Sequence, residues 1–191
     1  MILAIKYKTC IKCGSKDTAD IIYGLPSYEL ISLVEAKKVK LGGCCIVENA
    51  PDYFCYTCQH EWNKEDAINY AYSQIMGIRV STGNFFDGLT QVEIDLVSQT
   101  STWVHMGIEK EEIQKKELDL ITIENFMKEL KYIRLLNWKS KYKDITVFDG
   151  MEWNLEIINP KKIINKSGEN VFPKEWDYFC KLIKEITNKE L

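Results

Sequence analysis

The sequence predicts an α+β protein in two parts, a cysteine-rich ribbon over residues 1–62 packed on an antiparallel sheet with helices over residues 63–191. The first observation behind this class is that four of the seven cysteines form two Cys-x-x-Cys pairs in the first third of the chain. The second is that the remainder alternates apolar patterns of period 2 and period 3.6. With 191 residues, 46% of them hydrophobic, the chain is long enough for a small metal-stabilised unit and an ordinary core.

The two cysteine pairs predict a metal site. They are Cys10/Cys13 and Cys55/Cys58. Each pair can direct two thiolates at one ion, and two pairs complete the tetrahedron that structural Zn²⁺ requires. Because protein would then fill all four positions, no place is left for an activated water, and we expect one structural zinc ion. A single pair could be redox-active, but neither pair lies in a thioredoxin-like βαβ pattern.

The segment between the pairs, residues 14–54, is longer than the roughly 15 to 20 residues of a minimal ribbon, and it predicts an inserted helix. Pro26 and Ser27 can begin this helix. One apolar face of the helix would comprise Leu30, Leu33 and Val34. After the glycine pair at 42–43, residues 45–47 predict a strand that leads back to the second cysteine pair.

The remaining cysteines and the nearby histidine have less specific interpretations. Disulfides are disfavoured because we expect no signal peptide at the start of the chain and the cytosol keeps thiols reduced. We expect Cys44 and Cys45 to be buried thiols, with Cys44 as a possible replacement for one of the four ligands. Cys180 falls on the apolar face of a helix and is interpreted as a core thiol rather than a nucleophile. His60 lies too close to Cys58 for a fifth ligand and should pack beside the site.

Four short elements occur in order along this region. They read Cys10-x-x-Cys-Gly-Ser, Tyr23-Gly-Leu-Pro, Gly42-Gly-Cys and Cys55-x-x-Cys-x-His-x-Trp. Together they resemble a zinc-ribbon module of small, uncharacterised bacterial proteins over roughly the first third of the chain. The resemblance implies zinc binding and a bacterial protein, and it brings no known activity. Gln59 stands where that pattern usually has glycine.

The C-terminal part alternates helix and strand signals. Asn63 can cap a helix that Gly77 would end, with an apolar side made of Ala67, Ile68, Ala71, Ile75 and Met76. Strands are predicted at residues 92–96, 103–106, 151–157 and 162–164. Two helices would cover this sheet. One, capped by Thr122, has the stripe Ile123, Phe126, Met127, Leu130 and Ile133; the other begins at Pro173 and has Trp176, Phe179, Cys180 and Ile183.

A second resemblance covers residues 138–187. The elements Trp138-x-x-x-Tyr, Asp149-Gly-x-x-Trp and Ser167-Gly-x-Asn-x-x-Pro are similar to a motif set in other uncharacterised bacterial domains. No chemistry comes with this resemblance. Asp149-Gly150 suits a tight turn before a strand, and Ser167-Gly168 suits a turn before the last helix, so we interpret both as architectural.

Catalytic patterns are absent from the sequence. There is no nucleophile elbow, phosphate-binding glycine loop, zinc-protease motif or dinucleotide fingerprint, and the two histidines are His60 and His105. Carboxylates such as Asp87, Asp95 and Asp149 could pair in space. An enzyme with a carboxylate-based site is therefore kept as an alternative.

Nucleic-acid binding is the other alternative. The net charge of −3 argues against a protein devoted to it, but residues 128–143 carry six basic residues and one acid, interleaved with Tyr132, Trp138 and Tyr142. Single-stranded nucleic acid needs such a combination of cations and rings. The contacts would come from Lys131, Arg134, Lys139, Lys141 and Lys143. A solvated helix face with aromatic rings in the core explains the same pattern.

By elimination, the sequence favours a non-enzymatic zinc-binding protein that acts through protein–protein contacts, as a regulator, adaptor or immunity-type protein. The expected cofactor is one Zn²⁺ and the expected partner is another protein, with nucleic acid as the alternative. No apolar run approaches the roughly 20 residues that a membrane span needs. We therefore expect a cytoplasmic protein without a membrane segment.

Overall fold

A computed structural model describes residues 5–84, 88–108, 110–143 and 150–191. The chain divides into two compact units, Met1–Ser73 and Gln74–Leu191. Within the described residues there are four α-helices and eleven strands in two sheets, which confirms the α+β class. All four cysteines of the predicted metal site lie in the first unit. None of the helices in these residues is both long and apolar enough to cross a membrane.

The first unit is a four-stranded sheet with two helices. Its elements are β1 (Thr18–Ile22), α1 (Tyr28–Glu35), β2 (Val39–Leu41), β3 (Tyr53–Cys55), β4 (Glu61–Trp62) and α2 (Lys64–Ser73). The strand order is β2-β1-β3-β4, and only β1 and β2 run parallel. The helix α1 provides the crossover that a parallel pair requires.

Both helix starts in this unit follow the sequence. The Ser27 side chain accepts a hydrogen bond from the Leu30 N–H at 3.2 Å and caps α1. Asn63 and Asp66 cap α2 reciprocally, because each side chain accepts from the other residue's backbone N–H, at 2.9 and 3.0 Å. The predicted starts of both helices are confirmed. No residue of α1 is buried, so its apolar face does not form part of a core.

The strand predicted at residues 45–47 is also wrong. The strand that returns from α1 is β2, which precedes the glycine pair, and residues 44–50 form no strand. A Cβ on Gly42 would lie 2.4 Å from the Tyr23 ring and 2.6 Å from Ile21, so only glycine fits where the chain leaves the sheet. Ile46 and Val47 then lie 74% and 68% exposed in the loop.

The second unit is a seven-stranded sheet with two helices. Its elements are β5 (Gly77–Asn84), β6 (Gly88–Asp95), β7 (Thr100–Met106), β8 (Glu111–Glu117), α3 (Leu120–Tyr132), β9 (Lys141–Lys143), β10 (Glu152–Asn159), β11 (Lys162–Glu169) and α4 (Trp176–Thr187). The order is β8-β7-β6-β5-β10-β11-β9, antiparallel except for the pair β11 and β9. The four predicted strands all occur; β5, β8 and β9 were not predicted.

The helices of the second unit begin a few residues away from their predicted caps. Asp119, not Thr122, caps α3, because its carboxylate accepts from the Thr122 N–H at 2.7 Å. The last helix begins at Trp176 with Glu175 as N-cap rather than at Pro173. Glu175 makes no side-chain cap hydrogen bond, and a turn closed by the Trp176 N–H and the Pro173 carbonyl at 3.0 Å precedes α4. Apolar periodicity alone does not locate such starts.

The core of the second unit lies between the sheet and α3 and α4. Trp153, Leu155 and Ile157 alternate along β10 and are all fully buried, as the strict apolar–polar alternation predicts. The Trp153 ring lies 4.7 Å from that of Trp176, between ring centroids, and Phe179 packs behind it.

In the two glycine-containing motifs of the second resemblance, the glycine of each motif packs against a residue of the other motif. A Cβ on Gly168 would lie 2.3 Å from Trp153 Nε1, whose N–H donates to the Val171 carbonyl at 2.9 Å. A Cβ on Gly150 would overlap Asn170, whose side-chain oxygen accepts from the Met151 N–H. These contacts support the architectural interpretation; Asp149 itself lies outside the described residues.

Candidate metal centre

The two cysteine pairs form two knuckles with the same hydrogen bonds. In the first, the Gly14 N–H donates to the Cys10 carbonyl at 2.8 Å, and in the second the Gln59 N–H donates to the Cys55 carbonyl at 2.8 Å. Each knuckle is closed by a further bond of 2.9 Å, from Cys10 N–H to the Ser15 carbonyl and from Cys55 N–H to the His60 carbonyl. Gly14 and Gln59 both have left-handed backbones, with φ of 75° and 57°.

The knuckles bring four sulfur atoms together. The Sγ atoms of Cys10 and Cys58 lie 3.6 Å apart, as do those of Cys13 and Cys55, and all four lie within 4.8 Å of one another. Thiolates about 2.3 Å from a central ion occupy the corners of a tetrahedron with edges of about 3.8 Å. A disulfide would need about 2.05 Å. The spacing therefore matches four ligands of one metal ion, and all four cysteines are free thiols.

Backbone N–H groups point at the sulfurs. Burial raises the pKa of the Cys55 thiol, but the N–H groups of Cys58 and Thr57 and the neighbouring thiols donate to its sulfur and lower this pKa to about 6. The Ser15 N–H favours the Cys13 thiolate in the same way, yet hydrogen bonds with the Cys58 and Cys55 sulfurs raise the pKa of Cys13 to about 12. The pKa of Cys55 is thus lowered and that of Cys13 raised, and a bound cation would favour the thiolate form of both.

A small core supports the knuckles. It comprises Cys10, Tyr53, Cys55, Trp62 and Ala67, with Tyr7, Ile11 and Cys58 packed against it. The His60 ring stacks on Trp62, with ring centroids 6.0 Å apart, and is not among the clustered ligand atoms. The Ser15 and Thr57 hydroxyls, which the sequence did not single out, bond at 2.8 Å and join the two knuckles. An ion held by the four thiolates would add to the stability that this core gives to the knuckles.

The three other cysteines lie away from the four-sulfur cluster. Cys44 and Cys45 were predicted to be buried, which is wrong, since both are exposed in the loop that leaves the sheet at Gly42. Their Sγ atoms lie 3.7 Å apart. Cys180 is half-buried on α4, and burial raises the pKa of its thiol to about 11. A thiol with so high a pKa is a poor nucleophile at neutral pH, which agrees with a core role.

The basic stretch of residues 128–143 is spread over α3, a turn and β9. Lys131 lies on α3, Arg134 and Lys139 lie in the connection, and Lys141 and Lys143 lie on β9. Lys143 makes an ion pair with Glu169 at 2.8 Å.

The rings of this stretch are mostly packed. Trp138 is 7% exposed, contacts Trp176 and Phe179, and donates its indole N–H to the Ile133 carbonyl. Tyr142 packs on Trp153, with ring centroids 5.6 Å apart. Tyr132, 75% exposed, is the ring of the three that faces solvent. Bases have therefore little aromatic surface on which to stack here.

A polar hollow of about 620 Å³ opens on the face of the seven-stranded sheet away from Trp153 and Leu155. Glu152 and Glu169, which face each other on β10 and β11, line it together with Ser81 and Asn154. No histidine or cysteine lines the hollow among the residues that the structure describes.

The histidine and carboxylates that the sequence suggested for catalysis either have structural partners or lie outside the described residues. His105 is on β7, with Nδ1 2.9 Å from the Thr90 hydroxyl and its ring stacked on Trp103. The Asp95 carboxylate accepts from the Val97 and Ser98 N–H groups, and the Ser98 contact lowers the pKa of Asp95. Asp87 and Asp149 fall outside the described residues.

The chain matches no protein-family model, and no curated protein is significantly similar to it. The interpretation of the metal centre therefore depends on the geometry of the four cysteines and on the chemistry of thiolate ligands.

Proposed function

We propose that this chain is a structural zinc protein that acts without catalysis, through contacts with another protein. The observation that carries the proposal is the cluster of four cysteine sulfurs within 4.8 Å of one another. Four thiolates complete the coordination of a tetrahedral ion, so the metal would stabilise the first unit and would have no open position for a substrate or water.

Four thiolates in a tetrahedron suit either zinc or iron, and we prefer zinc. The four motif elements that resemble a zinc-ribbon module support zinc. Its binding would favour ionisation of all four thiols, and the N–H groups directed at Cys13, Cys55 and Cys58 already stabilise negative sulfur.

The protein-contact part of the proposal is supported by exposed apolar side chains between the two knuckles. We call the insertion surface the four residues Leu25, Tyr28, Ile46 and Val47, which are 92%, 87%, 74% and 68% exposed. The first two lie just before and at the start of α1, the last two follow Gly43, and the Gly24 N–H donates to the Gly43 carbonyl at 2.8 Å between these segments. Exposed apolar side chains on segments that are joined in this way are typical of contact sites for other proteins.

Metal analysis tests the first part of the proposal. The chain purified without added metal should contain about one zinc ion per molecule and no stoichiometric iron. Cys13→Ser should lose the zinc, whereas Cys180→Ser, which alters a cysteine on α4, should retain it. Iron in place of zinc, or equal zinc in Cys13→Ser, would contradict the proposal.

Site-specific photo-crosslinking in the native cell tests the second part. Benzoylphenylalanine at position 28 should give an adduct with one protein, and Ile46→Glu in the same chain should abolish this adduct. Ile121→Glu, at a 71% exposed apolar residue on α3, is the matched control and should leave the adduct unchanged. Loss of the adduct in both variants, or in neither, would show that the insertion surface does not recognise a partner.

A further inference from the structure

Two thiols stand side by side outside the four-cysteine cluster. Cys44 and Cys45 are adjacent in the chain, both are exposed, and their Sγ atoms are 3.7 Å apart. In an extended strand, neighbouring side chains point to opposite faces. Here the chain has left the sheet at Gly42, residues 44–47 are not in a strand, and both sulfurs come to the same side.

The loop that holds these thiols is anchored at its beginning. The Gly42 N–H donates to the Ile22 carbonyl at 2.9 Å, and the Gly43 carbonyl accepts from the Gly24 N–H at 2.8 Å. The peptide that precedes Cys44 is therefore held to the end of β1. The two exposed sulfurs therefore follow directly after a hydrogen-bonded segment of backbone.

The distance between the Cys44 and Cys45 sulfurs distinguishes a disulfide from shared coordination of a metal ion. A disulfide would need the sulfurs to approach to about 2.05 Å, and it would join Cα atoms only about 3.8 Å apart, closer than the usual range of roughly 4.4 to 6.8 Å. Two thiolates on one tetrahedral ion, about 2.3 Å from each, stand about 3.8 Å apart. The observed 3.7 Å fits shared coordination of an ion without further closure.

We propose that Cys44 and Cys45 form a second site for a thiophilic divalent metal ion, Zn²⁺ in the first instance. The two thiolates hold the ion by two coordination positions, and the other two are open to water or to an exchanging thiol. Binding of one Zn²⁺ releases two protons from the two thiols to solvent, and no electron is transferred. The site is weaker than the four-cysteine cluster, and its ion exchanges.

Competitive titration of the full chain with Zn²⁺ against a chromophoric chelator tests this site, with a phosphine as reductant because dithiols would compete for the ion. The wild-type chain should bind two zinc ions in two classes of affinity. The double variant with Cys44→Ser and Cys45→Ser should lose the weaker class and retain the tighter one. Cys180→Ser is the matched control and should retain both. A single class in the wild type, or a weaker class that survives in the double variant, would overturn the proposal.

Protection from alkylation provides a second measurement that needs no variant. With Zn²⁺ in excess of one equivalent, Cys44 and Cys45 should react with iodoacetamide several-fold more slowly than with one equivalent, as peptide mass analysis would report. Unchanged rates, or a Cys44–Cys45 disulfide that forms in air despite excess Zn²⁺, would refute the site. Failure of the structural zinc proposal is distinguishable, because it would appear as fast alkylation of Cys13, the exposed member of the four-cysteine cluster.

Discussion

Because the two knuckles have the same hydrogen bonds, removing a side chain at one position and adding a side chain at the equivalent position should change the zinc affinity in opposite directions. Gly14 and Gln59 make the same hydrogen bond and share a left-handed backbone, with φ of 75° and 57°. A side chain in this conformation costs roughly 1 to 2 kcal/mol, which glycine avoids. Glycine also loses more entropy on folding, by about 0.4 to 1 kcal/mol. Gln59→Gly should therefore stabilise the folded knuckle by about 0.5 to 1 kcal/mol.

Gly14→Ala should act in the other direction. No atom lies within 4 Å of a Cβ built on Gly14, so the same two contributions apply with opposite sign, and the net cost is about 0.5 to 1 kcal/mol. Because folding of the first unit is coupled to metal binding, these free energies change the apparent zinc affinity. We expect roughly two- to fivefold tighter zinc binding in Gln59→Gly and roughly two- to fivefold weaker binding in Gly14→Ala.

Competition with a chelating indicator at fixed pH measures both affinities. Gln99→Gly is the control, since Gln99 has φ of 57° in the turn between β6 and β7 and lies in the second unit. It should leave the zinc affinity unchanged. If Gly14→Ala and Gln59→Gly change the affinity in the same direction, or if Gln99→Gly matches Gln59→Gly, the equivalence of the two knuckles is not what sets the affinity.

Three further predictions concern the second unit. Lys166 is buried and donates to the Leu136 carbonyl, and burial lowers its pKa to about 8, below the unfolded 10.5. Above pH 8 the unfolded chain therefore binds more protons than the folded chain, and the unfolding free energy should rise by about 2 kcal/mol from pH 7 to 9.5. Denaturant titrations should show that Lys166→Met abolishes this rise. Lys162→Met, at an exposed lysine, is the control and should retain it. Gly168→Ala should lower the unfolding free energy by about 2 kcal/mol or more, because the new Cβ would displace Trp153. Gly107→Ala is the control and should be tolerated, since its Cβ would lie 3.4 Å from its nearest neighbours. Equal shifts in melting temperature for the two variants would contradict this prediction. Because Trp138 and Tyr142 are packed, single-stranded oligonucleotides should bind no better to the wild type than to the triple variant Lys139→Glu, Lys141→Glu, Lys143→Glu; salt-dependent binding lost in the variant would instead favour the nucleic-acid alternative.

The sequence predicted those features that depend on a few neighbouring residues. The cysteine pairs, the caps at Ser27 and Asn63, and the alternation along β10 are all local, and the structure has each of them. The Asp119 cap was missed because Thr122 offers an equally suitable side chain, and only the loop geometry decides between them.

Features that depend on distant partners were missed. β5 is the central strand of the large sheet, but its outward side chains are Arg79, Ser81 and Gly83, so apolar residues do not dominate the segment. β8 reads as a charged run because it is an edge strand, where lysines and glutamates prevent further pairing. The apolar residues 45–47 suggested a strand, yet the contact of Gly42 with Tyr23 and Ile21, distant in sequence, directs the chain away from the sheet.

The charge of the first unit bears on the choice between a protein and a nucleic-acid partner. Residues 1–73 contain eight lysines, no arginine and nine acidic residues, a formal charge of −1. Four thiolates around one Zn²⁺ add −2, so the metal-loaded unit would be clearly anionic. Phosphate backbones are repelled by such a unit, since nucleic-acid affinity depends on cations that replace counterions. The insertion surface adds exposed apolar groups to this anionic unit, so the partner expected under the proposed function is a protein with an apolar patch bordered by basic residues.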